Sequence, residues 1–447
     1  MNKIFKSPSA IFLMLALLFS SINYNSWKIF RAGNPFYSDA NQYYSYLVAT
    51  FIKHDLTFNF PNDYWLFRPK NIAVPKVSMG TAYMYSPFFA IGHCIASNSE
   101  KFLADGYSKP YAYSIYYGSI LYCLLGLLIL RKLLLIFFDE WPTTLTLFSI
   151  FFATNLFFYA LSWPVLSHGY LFFLYALLLY LVVKWHQTQK MSTVIGIGFL
   201  IGLIAVIRPL DVVIALIPLL YGISSKETLL HKIQLIKTNY LQVFVAFCFF
   251  WIPIIPQLIY WKWATGEYLY FSYGGAERFF FNDPQIFNLL FSYRKGWLLY
   301  TPIMIFAIIG MFQMKRIKDF TFATILYTVL IIYLLSCWWC WWYGGCFGMR
   351  ALIQSYALFA LPMAAFYTVV WQKNFLRFVL IPVILLFGYL NICQAWQYKS
   401  NILHWDGNTK EVYWGVFGIW DKANVPPGVY DHLDEPDYEK ARLGYRD

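Results

Sequence analysis

The chain alternates between long apolar stretches and short polar connections. An α-helix needs about 20 predominantly apolar residues to cross a hydrocarbon core of roughly 30 Å. About eleven runs approach that length, near residues 9–28, 111–130, 143–161, 170–184, 193–207, 210–224, 240–260, 297–313, 320–337, 351–371 and 376–395. The pattern therefore predicts an all-α polytopic membrane protein with about eleven transmembrane helices.

The connections between these runs are unequal in length. The first large one covers residues 29–110 and the second covers residues 261–296. Within the first, the stretch 79–96 is apolar but short and contains Pro87. It is either a twelfth span or an interfacial helix on the outer leaflet. We favour the interfacial helix, because a twelfth span would invert the topology of everything that follows.

The chain divides into a membrane domain and a polar tail. The membrane domain covers residues 1–398, and the tail covers residues 399–447. Some fifty residues rarely support a hydrophobic core of their own. We therefore expect the tail either to pack against the outer loops or to stay partly mobile.

Composition supports a membrane location. The 447 residues are 60% hydrophobic and only 13% charged, whereas soluble domains are about half apolar and a quarter charged. Aromatic residues make up 22% of the chain, which is typical of proteins with much surface at bilayer interfaces. The net charge of +12 is compatible with nucleic-acid binding only if the basic residues cluster on one surface, and they do not.

The basic residues instead follow the topology. Alternate connections contain fourteen basic and four acidic residues, and the remaining polar regions contain twenty and eighteen. By the positive-inside rule, the first set of loops is cytoplasmic. Its basic residues are Lys3, Lys6, Arg131, Lys132, Lys184, Lys190, Lys226, Lys232, Lys237, Lys315, Arg316, Lys318, Lys373 and Arg377. This predicts an uncleaved first span, a cytoplasmic N-terminus, an outer C-terminal tail and no role in binding nucleic acid.

Unusual polar residues gather on the predicted outer side. Ionisable groups at membrane depth are costly and tend to be functional. These residues are Asp39, Asp55, His168, Arg208, Asp211, Glu267, Glu277, Arg278, Asp283, Arg294, Lys295 and Arg350. Any functional site is therefore expected to face outward.

Several of these residues also have a purely structural interpretation. Asp39 precedes a helical stretch and could be an N-cap. Arg208 and Arg350 flank span ends, where arginine can extend to the headgroups. His168 could satisfy a turn, and Glu277 with Arg278 could form a local surface pair. Most aromatic residues of "CWWCWWYGGC" (337–346) are interpreted as an interfacial belt.

As a set, the polar residues suit an anionic lipid headgroup. Guanidinium groups bind phosphate through two parallel hydrogen bonds, and a carboxylate can accept a proton from an attacking hydroxyl. Tyr43 and Tyr44 lie about one helical turn after Asp39 and are expected to line a sugar pocket.

The sequence resembles the bacterial polytopic glycosyltransferases of the GT-C superfamily, related to protein O-mannosyltransferases and lipid A aminoarabinose transferases. The segments that carry the resemblance cover most of residues 36–365. They are "SDANQYYSYLVATFIKHDLTFNF", "MGTAYMYSPFFAIGH", "DGYSKPY", "GLIAVIRPLDVVIALIPLL", "YWKWATGEYLYFSYGGAERFFFNDPQIFNLLFSYRKGWLLYTPIMIFAIIG" and "WWYGGCFGMRALIQSYALFALPM".

The resemblance implies an inverting transferase that uses a polyprenyl-phosphate sugar donor on the periplasmic face of a bacterial inner membrane. Asp39 would be the general base or a metal-associated carboxylate. Many relatives have two adjacent acids in this loop, but here Asp39 is followed by Ala40. Asp55 is the nearest candidate for the second acid, and Glu267 or Asp283 are alternatives.

The remaining roles follow from the same hypothesis. Arg208, Arg294, Lys295 and Arg350 are expected to bind the donor phosphate. The residues expected to line the substrate pocket are Tyr43, Tyr44, His168, Glu267, Glu277 and Arg278. Whether a divalent metal takes part is left open.

Two other functions compete with this hypothesis. A transporter or flippase for lipid-linked glycans would need polar residues at mid-membrane and usually internal repeats, and neither is evident. A catalytically silent scaffold would use the outer loops and tail to bind a periplasmic protein partner. The acceptor itself, whether glycan, lipid or protein, is not identified by the sequence.

The uneven distribution of basic residues yields a topology prediction. Reporters fused before residue 1 and after Asp447 should be active in the cytoplasm and periplasm, respectively. The expected readouts are cytoplasmic fluorescence for the first fusion and alkaline phosphatase activity for the second. A fusion after Asp447 that is active only in the cytoplasm would overturn the assignment of the outer face.

Overall fold

The computed structural model describes residues 7–27, 36–59 and 72–446. Lys3, Lys6 and the segments 28–35 and 60–71, which carry parts of the predicted N-terminus and first outer loop, lie outside the described residues. Within the described part of the chain there is no β-strand, and an isolated bridge joins Phe279 and Trp338. The predicted all-α class is confirmed for these residues.

The first half of the chain forms ten α-helices within the described residues. These are α1 (Pro8–Trp27), α2 (Asp39–Val48), α3 (Gly80–Ser97), α4 (Lys109–Leu134), α5 (Glu140–Phe152), α6 (Leu156–Leu161), α7 (Ser167–Thr188), α8 (Met191–Ile207), α9 (Leu216–Leu220) and α10 (Lys226–Thr238). A π-helical turn, Ala49–Lys53, extends α2, and a 3₁₀ turn, Pro209–Ala215, joins α8 to α9.

The second half of the described chain forms ten further α-helices and includes the tail. Its helices are α11 (Tyr240–Trp251), α12 (Ile255–Thr265), α13 (Ile286–Phe291), α14 (Trp297–Tyr300), α15 (Ile305–Gly310), α16 (Lys318–Cys337), α17 (Tyr356–Trp371), α18 (Asn374–Lys399), α19 (Lys410–Gly415) and α20 (Tyr438–Leu443). Further 3₁₀ turns are Pro302–Met304, Met311–Ile317, Arg350–Ser355, Lys422–Asn424 and Val429–His432.

Five helical segments of the described chain are long and apolar enough to cross a membrane. They are Lys109–Leu134, Ser167–Thr188, Pro302–Cys337, Arg350–Trp371 and Asn374–Lys399. Helices α10 and α11, bent by 78° at their junction, would together make a sixth. The apolar helices indicate a multi-pass membrane protein, but the predicted count of eleven spans is not confirmed.

Breaks within the apolar runs explain much of this difference. The run at 143–161 divides into α5 and α6. The run at 240–260 divides into α11 and α12 around Pro253, which has no backbone N–H to continue a helix. Hydrophobicity alone does not reveal where a long helix ends and a second one begins. The predicted interfacial segment 79–96 does form a helix, α3, which packs against α4.

Two helices form the centre of the bundle. In the apolar parts of the segments Arg350–Trp371 (which contains α17) and Ser167–Thr188 (α7), 83% and 72% of the residues are buried. The corresponding share in Asn374–Lys399 (α18) is 22%. The outward side chains of α18, such as Phe375 and Phe378, are largely exposed and are suited to contact with lipid.

Loops predicted to lie on the cytoplasmic side contact one another. Arg131 pairs with Glu140 at 3.3 Å, and Glu140 also accepts a hydrogen bond from the Ser9 hydroxyl at 2.5 Å. Arg316 lies 3.6 Å from Asp139. Three of the connections that the positive-inside rule groups together, at the N-terminus, at residues 131–140 and at residues 315–318, are thus neighbours in the structure.

Glycines allow two helices to pack closely. Gly198 and Gly202 are four residues apart on α8 and face α11. A Cβ at Gly198 would lie 2.1 Å from the Ala246 carbonyl oxygen, and one at Gly202 would lie 2.0 Å from the Phe250 carbonyl oxygen. Small residues at this spacing let helix backbones approach each other in membranes.

Gly202→Val should therefore destabilise the protein. The added side chain must displace the α11 backbone, and overpacking of this kind typically costs about 1–3 kcal/mol. The measurement is the apparent Tm of the detergent-solubilised protein. Gly275→Ala is the matched control, because a Cβ there meets no atom within 4 Å. An unchanged Tm in Gly202→Val would show that α8 and α11 are not in close contact.

Candidate active site

Asp39 and Arg350 form an ion pair at the end of the bundle that the sequence predicts to face outward. Arg350 Nη1 donates to Asp39 Oδ2 at 3.3 Å. Arg350 Nε donates to the backbone carbonyl oxygen of Tyr343 at 3.1 Å. The Asp39 side chain is 36% exposed, against 17% for Arg350. The pair therefore fixes the carboxylate and still leaves part of it accessible to solvent.

Asp39 is the first residue of α2 and does not act as its cap. The preceding residue, Ser38, has a φ of 55° and makes no capping hydrogen bond with its side chain. The rest of α2, from Ala40 to Val48, is buried. The contacts thus fit an ion pair mounted on a buried helix, rather than the N-cap of Asp39 or the headgroup-directed Arg350 considered from sequence.

Tyr43 lies one turn after Asp39 and is buried in the same cluster. Burial raises the pKa of Tyr43 to about 12, and the Asp39 charge adds to this effect. A hydrogen bond with Ser167 and the charges of Arg208 and Arg350 act in the opposite direction. Tyr43 therefore remains a neutral phenol that can donate a hydrogen bond at neutral pH.

Arg208 belongs to a second, deeper group of polar side chains. Its Nε lies 3.9 Å from Asp211 Oδ2, and Gln354 Nε2 donates to both Asp211 carboxylate oxygens at 3.0 Å. His168 is buried and within electrostatic range of Arg208 and Arg350. The structure thus brings together four predicted site positions from distant loops, Asp39, His168, Arg208 and Arg350, around Tyr43.

Two other predicted residues lie apart from this group. The Tyr44 hydroxyl donates to the Gly106 carbonyl oxygen, and its ring stacks on Phe36 with centroids 3.7 Å apart. The Asp55 carboxylate accepts hydrogen bonds from the amide and hydroxyl of Thr57, and these lower the Asp55 pKa. The structure does not join Asp55 to Asp39 as a paired acid.

The acids and the arginine of the second outer loop also have other partners. Glu277 is buried and pairs with Lys76 at 2.7 Å and with Arg442 at 3.3 Å. Glu267 and Arg278 are exposed. Glu277 therefore ties the first and second outer loops to the tail, rather than lining the cluster around Tyr43.

Arg294 contacts the tail. Its guanidinium donates to the backbone carbonyl oxygen of Asp406 and to the Asp434 carboxylate, each at 3.3 Å. It also lies over the Trp342 ring, 5.6 Å from the centroid. These contacts occupy the guanidinium that the sequence analysis assigned to donor phosphate.

Lys295 is almost completely buried between the tail and the loop that precedes Arg350. Its ammonium donates to the carbonyl oxygens of Cys346 and Trp405. Burial lowers the Lys295 pKa, an effect that the nearby Asp406 charge partly opposes. Like Arg294, it holds outer segments together through contacts that already use its donors.

Residues 338–349, hereafter the aromatic loop, lie beneath the tail. Trp339, Trp341 and Trp342 are 5%, 1% and 1% exposed. Trp341 Nε1 donates to the Arg446 carbonyl oxygen at 3.0 Å. The expectation of an interfacial belt is wrong for these three tryptophans, because the tail covers the surface that they would otherwise present to the bilayer.

Arg446 anchors the tail at the end of α16. Its guanidinium donates to the carbonyl oxygens of Ser336, Cys337 and Trp338 at 3.1–3.3 Å and pairs with Asp283 at 2.7 Å. Cations are favoured at helix C-termini, where carbonyl groups lack partners. Of the two alternatives considered for the tail, the described residues 399–446 show packing against the outer loops.

The described residues do not offer a set of ligands for a divalent metal. No group of three or more His, Cys, Asp and Glu side chains comes together among them. Asp39 is paired with Arg350, and both oxygens of Asp211 accept hydrogen bonds from Gln354. In the described part of the chain, the groups at this site that could bind an anionic substrate are cationic side chains, and no paired carboxylates are present that could hold a metal.

An apolar cavity of about 470 Å³ adjoins the Arg208 turn. It lies between the end of α8 and α12, and its lining includes Val206, Pro209, Leu258, Trp261 and Phe271. The cavity is open on one side and almost wholly apolar. It can accommodate a hydrocarbon chain whose polar end lies near Arg208.

Three residues near the cluster were not assigned a role from sequence. Asp211 follows Arg208 by three residues in "RPLD", the spacing of a local ion pair, and this was the available signal. Gln354 is a lone amide in an otherwise apolar run. Tyr343 contributes its backbone carbonyl, which no side-chain pattern reveals.

The comparisons with known proteins identify the fold. No family model and no curated protein matches the sequence. The oligosaccharyltransferase of Archaeoglobus fulgidus, in its apo form, aligns with a TM-score of 0.54 and 14% identity over 96% of this chain and 60% of that one. ArnT from Cupriavidus metallidurans, in its apo state, aligns with a TM-score of 0.52 and 13% identity over 97% and 75%.

Both are glycosyltransferases of the GT-C superfamily, so the chain has the GT-C fold, as the sequence resemblance implied. The chain spans about 60% of the length of the archaeal oligosaccharyltransferase that it matches. At these identities the comparisons establish the fold, and the activity has to be argued from the site.

The folded conformation of the tail should be less stable at mildly acidic pH. His404 Nδ1 accepts hydrogen bonds from the amides of Asp406 and Gly407 at 3.3 and 2.8 Å. Burial lowers the His404 pKa below its usual 6.5, although Glu435 opposes this shift. A lowered pKa in the folded tail means that His404 binds a proton more readily when the tail is unfolded than when it is folded. Stability from these bonds is thus fully present above about pH 6.5 and declines as pH falls towards the folded-state pKa.

Amide hydrogen exchange of residues 399–446, corrected for intrinsic rates, should therefore be faster at pH 5.5 than at pH 7.5. His404→Gln should remove much of this difference, and His432→Gln, at an exposed site in the same tail, should retain it. Equal corrected exchange at the two pH values in the unaltered protein would contradict the role assigned to His404.

Proposed function

We propose that this protein is a membrane glycosyltransferase that moves a sugar from a polyprenyl-phosphate donor to an acceptor hydroxyl on the periplasmic face of a bacterial inner membrane. The observation that carries the proposal is the Asp39–Arg350 ion pair, mounted at the outer mouth of a GT-C fold with Arg208 close by. The reaction needs a base for the acceptor hydroxyl and positive charge for the donor phosphate. An acid and two guanidinium groups at one site supply both.

On the donor side, Arg208 and Arg350 receive the phosphate. Phosphate develops negative charge as its bond to the sugar breaks, and preorganised cationic donors stabilise that charge in the transition state. The apolar cavity beside the Arg208 turn receives the first part of the isoprenoid chain. Arg294 and Lys295 support the site from outside, because their donors are engaged by the tail and aromatic loop.

On the acceptor side, Asp39 is the general base. The acceptor oxygen attacks the anomeric carbon from the face opposite the phosphate, the carbon–oxygen bond to the lipid phosphate breaks, and the hydroxyl proton passes to the Asp39 carboxylate. A single displacement of this kind inverts the anomeric configuration. The partial exposure of Asp39 gives the acceptor access, and Tyr43 can donate a hydrogen bond to the sugar.

The Asp39–Arg350 contact also has a consequence for the order of binding. In the substrate-free protein, Arg350 donates to the carboxylate that must later accept a proton. A donor phosphate competes for the same guanidinium and weakens that contact. We therefore expect donor binding to precede activation of the acceptor.

The test is Asp39→Asn. Asparagine keeps the size and can still accept a hydrogen bond from Arg350, but it cannot take the proton. Transfer of sugar to the endogenous acceptor in membranes should fall by about 10²–10⁴-fold, with little change in apparent Tm. Asp39→Glu should restore activity poorly, since misplacement by about 1 Å can cost roughly a hundredfold.

Asp55→Asn is the control, because Asp55 is a partly exposed acid of the same loop whose carboxylate, among the described residues, accepts hydrogen bonds from its own turn. It should retain full transfer activity. Full activity in Asp39→Asn would reject Asp39 as the base and leave the ion pair with a structural role alone. Transport of a lipid-linked glycan without any transfer would favour the flippase alternative.

A further inference from the structure

One edge of the Arg208 guanidinium faces a carboxylate, and another edge lacks a hydrogen-bond acceptor among the described residues. Its Nε faces Asp211 at 3.9 Å. Its Nη1 is buried and makes no hydrogen bond within the described residues. A buried donor without an acceptor is destabilising, so it requires an explanation. An anionic group arriving between Arg208 and Tyr43 would supply the missing acceptor.

Asp211 is itself tightly fixed. It is completely buried, and both carboxylate oxygens accept from Gln354 Nε2 at 3.0 Å. Its amide donates to the Arg208 carbonyl oxygen at 2.9 Å, and its own carbonyl oxygen accepts from Tyr175 at 3.4 Å. The carboxylate therefore cannot follow Arg208 if the arginine moves.

Gln354 is fixed in turn by the start of the central segment. Its amide also donates to the Ala351 carbonyl oxygen at 2.8 Å, within the 3₁₀ turn that begins at Arg350. One short turn thus carries Arg350 and, four residues later, the amide that holds Asp211. The two guanidinium groups of the site are consequently placed by a single element.

We propose that Asp211 and Gln354 are positioning residues that hold the Arg208 guanidinium with its Nη1 edge directed at the phosphate of the lipid donor. The inference rests on the proposed function and assigns to two residues a role in recognising the donor headgroup. The competing possibility is that Asp211 only neutralises a buried arginine, in which case its loss would affect folding but not donor affinity.

A double-mutant cycle separates these possibilities. The probe is farnesyl monophosphate, and its binding to the detergent-solubilised full-length protein is measured by native mass spectrometry, with farnesol as the phosphate-free comparison. Arg208→Gln should weaken binding of the phosphate about tenfold or more, since a hydrogen bond to a charged group contributes about 1.5–3 kcal/mol. Asp211→Asn should weaken it several-fold.

The coupling is the decisive measurement. If Asp211 acts through Arg208, the double variant should bind the probe no more weakly than Arg208→Gln alone. Gln354→Met removes the amide while keeping the chain length, and it should change affinity in the same direction. It also preserves the test if Asp211→Asn fails to fold. Glu140→Gln, in an ion pair with Arg131 at the other set of loops, should leave affinity unchanged.

The outcomes that would overturn the inference differ from those that would overturn the proposed function. Preference for farnesyl monophosphate over farnesol, combined with unchanged affinity in Arg208→Gln or fully additive effects of Arg208→Gln and Asp211→Asn, would reject the positioning role alone. No preference for the phosphate in the unaltered protein would reject lipid-phosphate recognition, and the inference with it.

Discussion

The ion pair between Asp39 and Arg350 is the contact on which the outer site depends. It joins residues 311 positions apart in sequence, one at the start of a buried helix and one at the start of the central segment. A desolvated charge is costly without a partner, so each residue restricts where the other can lie. Together with the burial of α2 and the Lys76–Glu277 pair, this contact holds the first large loop against the end of the bundle.

The remaining outer structure can be understood as support for the basic partner. The aromatic loop directly precedes Arg350. The backbone carbonyl oxygen of Tyr343, in that loop, accepts a hydrogen bond from Arg350 Nε. That loop is in turn fixed by Lys295 from one side and by the tail from the other. Burying three tryptophans beneath the tail removes apolar surface from water and stiffens the segment on which the guanidinium geometry relies.

Much of the site was predictable because charge is rare in this chain. With 13% charged residues, an acid after the first span and arginines at span ends stand out, and the topology rule places them on one side. The structure brings Asp39, Arg208 and Arg350 together. Helical geometry accounts for the error on Tyr44, since each residue rotates by about 100°. Tyr43 therefore lies about 40° from Asp39 around α2, and Tyr44 about 140°.

The remaining differences between the predicted and the observed site arise from contacts between residues that are distant in sequence. Arg294 and Lys295 look like phosphate ligands when read locally. Arg294 instead donates to a backbone carbonyl and a carboxylate of the tail, and Lys295 donates to backbone carbonyls of the tail and of the aromatic loop. The belt interpretation of Trp341 fails for the same reason. The span count differs because apolar runs contain breaks that hydrophobicity does not mark. Local patterns therefore predicted the class of fold and the location of the site, but not which of its cations were already engaged.

The anchoring of the aromatic loop by Arg446 imposes an order on biosynthesis. The carbonyl groups that Arg446 binds are translated up to 110 residues before it. At about 5–20 residues per second, Arg350 and its loop wait roughly 5–20 s on the nascent chain before their clamp exists. Throughout that interval the tryptophans of the aromatic loop are not packed beneath the tail, and the loop that precedes Arg350 lacks its contacts with Arg446. A newly inserted chain therefore completes the support of Arg350 late, only after the tail has been made, which separates membrane insertion from assembly of the ion-pair site.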